Sequence, residues 1–184
     1  MSIIIDIVGS IILAGLLILT VNTGVADLNK TTYEQTYTLN TQTNMVTLAR
    51  IIEHDFVKIG FRADDPVVLV ADSQQLSFQS DLYNDGSLET VTYSVGAPTD
   101  PPASATENPR DFILYRELSG ESPLGLSAGL VEFNLTYLDS TGAVTTSPNE
   151  VDAIQVRMRL ETEEPVDGDY LGVFWEKTFY PKNL

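Results

Sequence analysis

The stretch that decides the fold is IIIDIVGSIILAGLLILTV, residues 3–21. It contains a single charged residue, Asp6, and no charge at all from Ile7 onward. At about 1.5 Å per residue, an α-helix of this length spans about 28 Å, which is close to the hydrocarbon thickness of a bilayer. The composition therefore predicts that residues 3–21 form a helix that enters a membrane.

Three interpretations of this segment remain open from its residues. A cleaved signal peptide requires a positive N-terminal region and a small-residue cleavage site. The first basic residue is Lys30, however, and only residues 24–26 (Gly-Val-Ala) resemble such a site. A simple membrane anchor requires nothing beyond the apolar run. In the third interpretation the segment is both an anchor and the element through which copies assemble.

The residues that follow predict a continuation of the same helix, because residues 28–59 contain neither proline nor glycine. Residues 22–44 are rich in Thr and Asn, which are weaker helix formers. Farther along, apolar residues recur at helical spacing, which predicts that one face packs on a core before Gly60 ends the helix as a C-cap. A helix over residues 3–59 would be about 85 Å long, so its first two thirds need partners in lipid or in other copies. The predicted helix–sheet packing residues are Met45, Leu48, Ile52, Phe56 and Ile59.

After Gly60 the hydrophobic period changes from helical to alternating, which indicates β-strands. Shorter strands are predicted over residues 67–71, 76–80, 91–95 and 112–116. A half-apolar antiparallel sheet needs a cover on one face, and the helical stripe supplies it. We predict an α+β fold: a helical part over residues 1–60, packed by its C-terminal third on a mainly antiparallel sheet in an acidic β domain over residues 61–184. The inward-facing sets of the long final strands are Val131, Phe133, Leu135 and Tyr137; Ile154, Val156, Met158 and Leu160; and Val173, Trp175 and Phe179.

Composition excludes several kinds of function. The chain has 26 Asp and Glu residues against 10 Lys and Arg residues, a net charge of -16, one His and no Cys. Disulfide scaffolds, Cys-ligated zinc sites and thiol nucleophiles are therefore excluded, and the negative charge repels nucleic acid. No nucleophile motif accompanies His54, so we expect neither enzymatic activity nor a cofactor.

Two acidic segments offer oxygen ligands of the kind that calcium prefers. The first contains Asp81, Asp85 and Glu89, but Tyr83 stands where an EF-hand loop has an acidic residue, so a hairpin turn is the simpler interpretation. The second segment lies after the penultimate long strand, and a solvated acidic loop is its simpler interpretation. Its candidate ligands are Glu161, Glu163, Glu164, Asp167 and Asp169.

This order of parts resembles the type IV pilin-like proteins, in particular minor pilins and the pseudopilins of type II secretion systems. The matching features are the apolar N-terminal helix, residues 48–60 (LARIIEHDFVKIG), the strand–turn–strand of residues 76–93 and the closing residues 181–184 (PKNL). The resemblance implies a structural subunit that is membrane-inserted before assembly. It would then form an extracellular or periplasmic filament with other copies of itself or with other pilin-like subunits.

In that family an acidic residue at the fifth position of the processed chain meets the N-terminal amine of a neighbouring subunit, and some pseudopilins bind calcium. Removal of Met1 would place Asp6 at that position. Small residues in the apolar run allow helices to approach closely. The alternative is a monomeric, membrane-anchored β domain that binds a glycan or a divalent cation. The predicted assembly residues are Asp6, Gly9, Ser10, Ala14 and Gly15.

Overall fold

The computed structural model describes residues 2–126 and 129–184, and these contain one α-helix and nine β-strands. The helix, α1, runs without interruption over Ser2–Phe56, which confirms the predicted continuation through residues 22–44. Threonine hydroxyls in this stretch donate to the carbonyl oxygen four residues earlier. Thr32 Oγ1 donates to Leu28 O over 2.8 Å, and Thr36 Oγ1 donates to Thr32 O over 2.8 Å. These bonds satisfy the hydroxyl groups inside the helix.

The helix ends at Phe56, three residues before the predicted end at Ile59, and turns follow over residues 57–62. Gly60 has a φ of +75°, in the left-handed region that favours glycine. Its N–H donates to Gln79 O over 3.0 Å. A Cβ atom at Gly60 would lie 2.3 Å from Asn183 O, so this glycine also allows the C-terminal segment to pack against the turn.

The strands form two antiparallel sheets. In the first sheet the strand order follows the chain, and in the second it is β7-β6-β8-β9. The first sheet contains β1 Val68–Asp72, β2 Gln75–Ser80, β3 Glu89–Val95, β4 Leu114–Leu118 and β5 Leu124–Gly125. The second contains β6 Leu130–Leu138, β7 Val144–Thr145, β8 Ala153–Glu161 and β9 Gly172–Phe179.

The predicted α+β class is confirmed, with the C-terminal end of α1 packed on antiparallel sheets. The sequence suggested one sheet, whereas the structure has two whose apolar faces share one hydrophobic core. The sheets meet at an isolated bridge between Phe112 and Leu130, and Leu135 N–H donates to Ser73 O over 2.8 Å. Phe112 therefore lies in a link between the sheets rather than at the start of β4.

A shift in register changes which residues of β6 face the core. The pairing of β6 with β8 is irregular between Leu130 and Glu132. Leu130 is fully buried as a result, whereas Val131, predicted to face inward, is only partly buried. The other three predicted residues of β6 are buried, and so are all four of β8.

The predicted strand–turn–strand of residues 76–93 is present, but its turn is the long loop of residues 81–88. Asn84 and Gly86 both have positive φ values within this loop, at 58° and 90°. The chain as a whole divides into two compact units, the first ending at Leu39 and the second spanning Asn40–Leu184. The C-terminal part of α1 thus belongs to the same unit as the sheets.

Candidate assembly site

The apolar side chains of residues 3–21 are exposed. Every Ile, Leu and Val in this segment has an exposed fraction between 50% and 72%, the lowest being that of Val8 and the highest that of Ile3. Soluble monomers rarely expose contiguous apolar patches of more than a few hundred Å². Exposed apolar surfaces of this kind are typical of segments that contact lipid or another chain.

The predicted assembly residues lie on this segment of α1. At Gly9 and Gly15 an added Cβ atom would meet nothing within 4 Å, so no contact with residues 2–126 or 129–184 explains the two glycines. Ser10 Oγ donates to Ile7 O over 2.9 Å, which satisfies its hydroxyl within the helix. The Asp6 side chain is exposed, and so is Ala14.

In length and composition, α1 is suited to cross a membrane, and it is the single helix of this kind among residues 2–126 and 129–184. Signal sequences and core helices of soluble proteins meet the same criterion. A core helix is mostly buried, whereas none of the apolar stretch of α1 is buried inside the chain. The helix is therefore compatible with membrane insertion.

The predicted helix–sheet packing residues all lie in the hydrophobic core, each at most 3% exposed. Phe56 is the centre of this contact, because its ring makes edge contacts with three other aromatic rings. The centroid distances are 6.2 Å to Phe78, 5.5 Å to Tyr93 and 5.2 Å to Phe179. These residues come from the helix and from both sheets, so Phe56 links all three elements.

A buried charged cluster that no sequence pattern predicts lies beside this aromatic contact. Asp55 is 1% exposed and accepts hydrogen bonds through Oδ2 from Tyr93 Oη and Arg116 Nε, both over 2.6 Å. Its Oδ1 lies 3.0 Å from His54 Nδ1. The sequence pattern predicts that Asp55 projects away from the apolar stripe, as Arg50 and Glu53 do. This prediction is wrong, because Asp55 is buried and its partners lie 38 and 61 residues away in the chain.

The pKa values of Tyr93 and Arg116, the two hydrogen-bond donors to Asp55, are both raised. Burial is the main cause that raises the pKa of Tyr93 well above its usual range, and the carboxylate of Asp55 adds to it. Burial acts to lower the pKa of Arg116, but the hydrogen bond and the charge of Asp55 outweigh it and raise that pKa. Tyr93 thus stays neutral and Arg116 stays charged, as a stable ion pair requires.

In the first predicted calcium segment, the carboxylates accept hydrogen bonds from other groups of the protein. Asp81 is fully buried and accepts from Arg62 Nη1 over 2.8 Å and from the N–H groups of Asp85 and Gly86 over 3.1 Å. Burial acts to raise the pKa of Asp81, but these hydrogen bonds lower it below its usual range. Glu89 Oε2 accepts from Leu82 N–H over 2.9 Å. These bonds organise the loop of residues 81–88.

Asp85 also bonds within this loop. Ser87 donates to its Oδ1 from both the hydroxyl and the backbone N–H, and these bonds lower the pKa of Asp85. Across the described ranges 2–126 and 129–184, no group of three His, Asp or Glu side chains is arranged to hold a metal ion.

The second predicted calcium segment is divided between a buried and an exposed part. Glu161 is 2% exposed at the end of β8, where it pairs with Arg110 over 2.6 Å and Arg159 over 3.1 Å. The other four candidates lie on an exposed loop between Thr162 and Leu171, whose N–H and O, respectively, bond over 2.9 Å. Those four are Glu163, Glu164, Asp167 and Asp169.

Comparison of the chain with known protein families gives no match. No curated protein matches the chain either. The layout, a long apolar N-terminal helix followed by antiparallel strands, is pilin-like.

Proposed function

We propose that the protein is a structural subunit of a pilus-like or pseudopilus filament, which assembles through residues 3–21 of α1. The observation that carries this proposal is the exposure of every large apolar side chain in that segment. Burying one such side chain contributes about 1.5–3 kcal/mol. A helix that is apolar on all sides gains this energy only when lipid or neighbouring helices surround it.

The small residues favour neighbouring helices as the final partner. Once a helix is in lipid, association depends on close packing, for which glycine and other small residues at the interface are suited. Gly9 and Gly15 meet this requirement, since no atom in the described part of the chain lies within 4 Å of an added Cβ at either position. Membrane insertion therefore precedes assembly in this proposal.

The free-energy cost of placing the Asp6 carboxylate in a membrane supports the same proposal. A carboxylate within a membrane segment costs up to about 3 kcal/mol in the absence of a partner, depending on its depth. Within the part of the chain that the structure describes, the Asp6 side chain has no hydrogen bond or ion pair. A cationic group on a neighbouring copy would remove this cost.

The proposal is tested by comparing Gly15→Leu with Gly24→Leu. Both glycines lie in α1, and both have nothing within 4 Å of an added Cβ atom in the single chain. We expect Gly15→Leu to abolish filaments or reduce them by at least about tenfold, because its side chain separates packed helices. Gly24→Leu, beyond the apolar segment, should assemble normally. Electron microscopy and sedimentation of membrane extracts measure the effect.

Two outcomes would contradict the proposal. In one, Gly15→Leu assembles as well as Gly24→Leu. In the other, the unaltered protein stays a single copy in membranes at every concentration, as expected of a monomeric anchored domain. Circular dichroism of each variant controls for folding, because both substitutions replace glycine by a better helix former.

A further inference from the structure

Three buried side-chain oxygen atoms lack a hydrogen-bond partner within residues 2–126 and 129–184, and all three belong to two carboxylates close to each other. They are Asp111 Oδ1, Asp111 Oδ2 and Glu161 Oε1, of which Glu161 Oε1 still lies 3.1 Å from the charged Arg159 Nη2. Asp111 is 1% exposed and Glu161 is 2% exposed. Buried polar groups are nearly always hydrogen-bonded, so a carboxylate with two unsatisfied oxygens is costly to keep ionised.

The two carboxylates differ in the charges around them. Glu161 faces the guanidinium groups of Arg110 and Arg159, and its Oε2 also accepts from Asn108 Nδ2 over 3.1 Å. Burial is the main cause that raises the pKa of Asp111 to about 6. The Thr106 side chain and, more weakly, the charge of Arg110 act to lower this pKa, whereas the charges of Glu163 and Glu161 add to the rise.

A proton fits this position better than a metal ion. Hard cations take about six to eight oxygen ligands, and no group of three acidic or histidine side chains in the described chain is arranged to hold one. The arginines that balance Glu161 would also repel a metal ion. A proton needs a single carboxylate oxygen, and Asp111 offers two.

The segment that carries Asp111 joins the two sheets. Asn108 Nδ2 bonds Glu161 at the end of β8, and Phe112 N–H donates to Leu130 O over 2.9 Å at the bridge to β6. An ionised Asp111 repels Glu161 and Glu163 across this junction. Its charge state therefore acts on the contact between the sheets rather than on a free loop.

We propose that Asp111 is a proton-binding latch: its protonated form holds residues 108–112 closed against the end of β8, and its ionised form releases them. This inference is independent of filament assembly. The neutral carboxyl group has lost its repulsion from Glu161 and Glu163 and has one O–H to donate. The junction is tight in mildly acidic solution and opens locally as the pH rises toward neutrality.

The sign of the effect follows from proton linkage. A folded-state pKa above the unfolded value means that the folded state binds more protons, so stability falls as pH rises from about 4 to about 6. Amide exchange of Phe112 in the full chain in detergent micelles, corrected for intrinsic rate, should be at least about tenfold faster at pH 7.5 than at pH 5. Asp111→Asn should remove most of this difference. Asp152→Asn, which changes an exposed aspartate, should leave it intact.

A direct titration of the Asp111 carboxyl carbon by NMR keeps the proposal testable even if Asp111→Asn folds poorly. A midpoint near 6 supports the latch, and a midpoint below about 4.5 overturns it. Unchanged pH dependence in a folded Asp111→Asn variant would also overturn it. Closure of the wild-type junction by Ca²⁺ at pH 7.5 would identify a metal site instead and contradict the proposal.

Discussion

Two parts of the same helix, residues 3–21 and residues 45–56, are both rich in apolar side chains but differ in burial. The first is exposed along its whole length, whereas the apolar stripe of the second is almost completely buried. The difference lies in how the apolar residues are distributed around the helix. Residues 45–56 carry charged groups such as Arg50 and Glu53 away from the stripe, so one packed face is enough. Residues 3–21 are apolar on every side and require partners all round.

The largest effect should come from deleting residues 3–21. We expect complete loss of membrane association and of assembly, because the apolar surface that drives both is removed. The core begins at Met45, so the β-sheet signal in circular dichroism should persist. Membrane flotation and sedimentation measure the loss. Residual assembly of the shortened chain would show that another surface drives it.

Phe56→Ala should give the next largest effect, on the folding of the second unit. Removal of a fully buried ring with three aromatic neighbours should lower the free energy of unfolding by about 3–5 kcal/mol. Val57→Ala, at an exposed position of the following turn, should change it by less than about 0.5 kcal/mol. Fluorescence of Trp175, the single tryptophan of the chain, reports urea unfolding of this unit. Equal losses of stability in Phe56→Ala and Val57→Ala would contradict the difference in burial between these two residues.

Asp55→Ala should be somewhat less damaging, lowering the free energy of unfolding by about 3 kcal/mol. It leaves Arg116 and the Tyr93 hydroxyl without their shared partner, and breaking a buried pair costs about 3–5 kcal/mol. Arg116 is partly exposed, so water can hydrate its guanidinium group in the variant. We therefore expect a loss of stability at the lower end of this range. Glu53→Ala breaks only the exposed pair with Lys177 and should cost less than about 1 kcal/mol. A similar loss in both variants would exclude a special role for Asp55.

Ionic strength should have the smallest effect. A chain with a net charge of -16 repels its copies, and salt screens charges that are more than about 8–10 Å apart. We expect assembly to need a few-fold lower protein concentration at 0.5 M than at 0.05 M NaCl. Unchanged or weaker assembly at high salt would mean that attraction between charges, rather than apolar packing, holds the copies together.

The helix and its buried stripe could be predicted from sequence because helical period depends only on local spacing. The same is true of β8, whose alternation is regular and whose four inward residues are all buried. In β6 the alternation misplaces Val131, because the irregular pairing next to Leu130 depends on the partner strand. The division into two sheets also depends on distant pairing, which no local pattern encodes.

The candidate sites also differ in whether local sequence could reveal them. An uncharged apolar run is visible in any sequence, so residues 3–21 could be found directly. The clusters at Asp55 and Asp111 could not, because the groups around these two residues come from distant strands and loops. The loop of residues 81–88 had the composition of a cation site, yet its carboxylates bond to Arg62 and to backbone N–H groups instead.

The chain contains no cysteine, so single cysteines placed along residues 3–21 give cross-links without background. Oxidation of these variants in native membranes tests most directly whether copies of this segment cover one another. The account predicts disulfide-linked pairs along this segment, with strong cross-linking at Gly9 and Gly15 and little at Gly24. Membrane-inserted protein that gives no linked pairs at any position along the segment would contradict it.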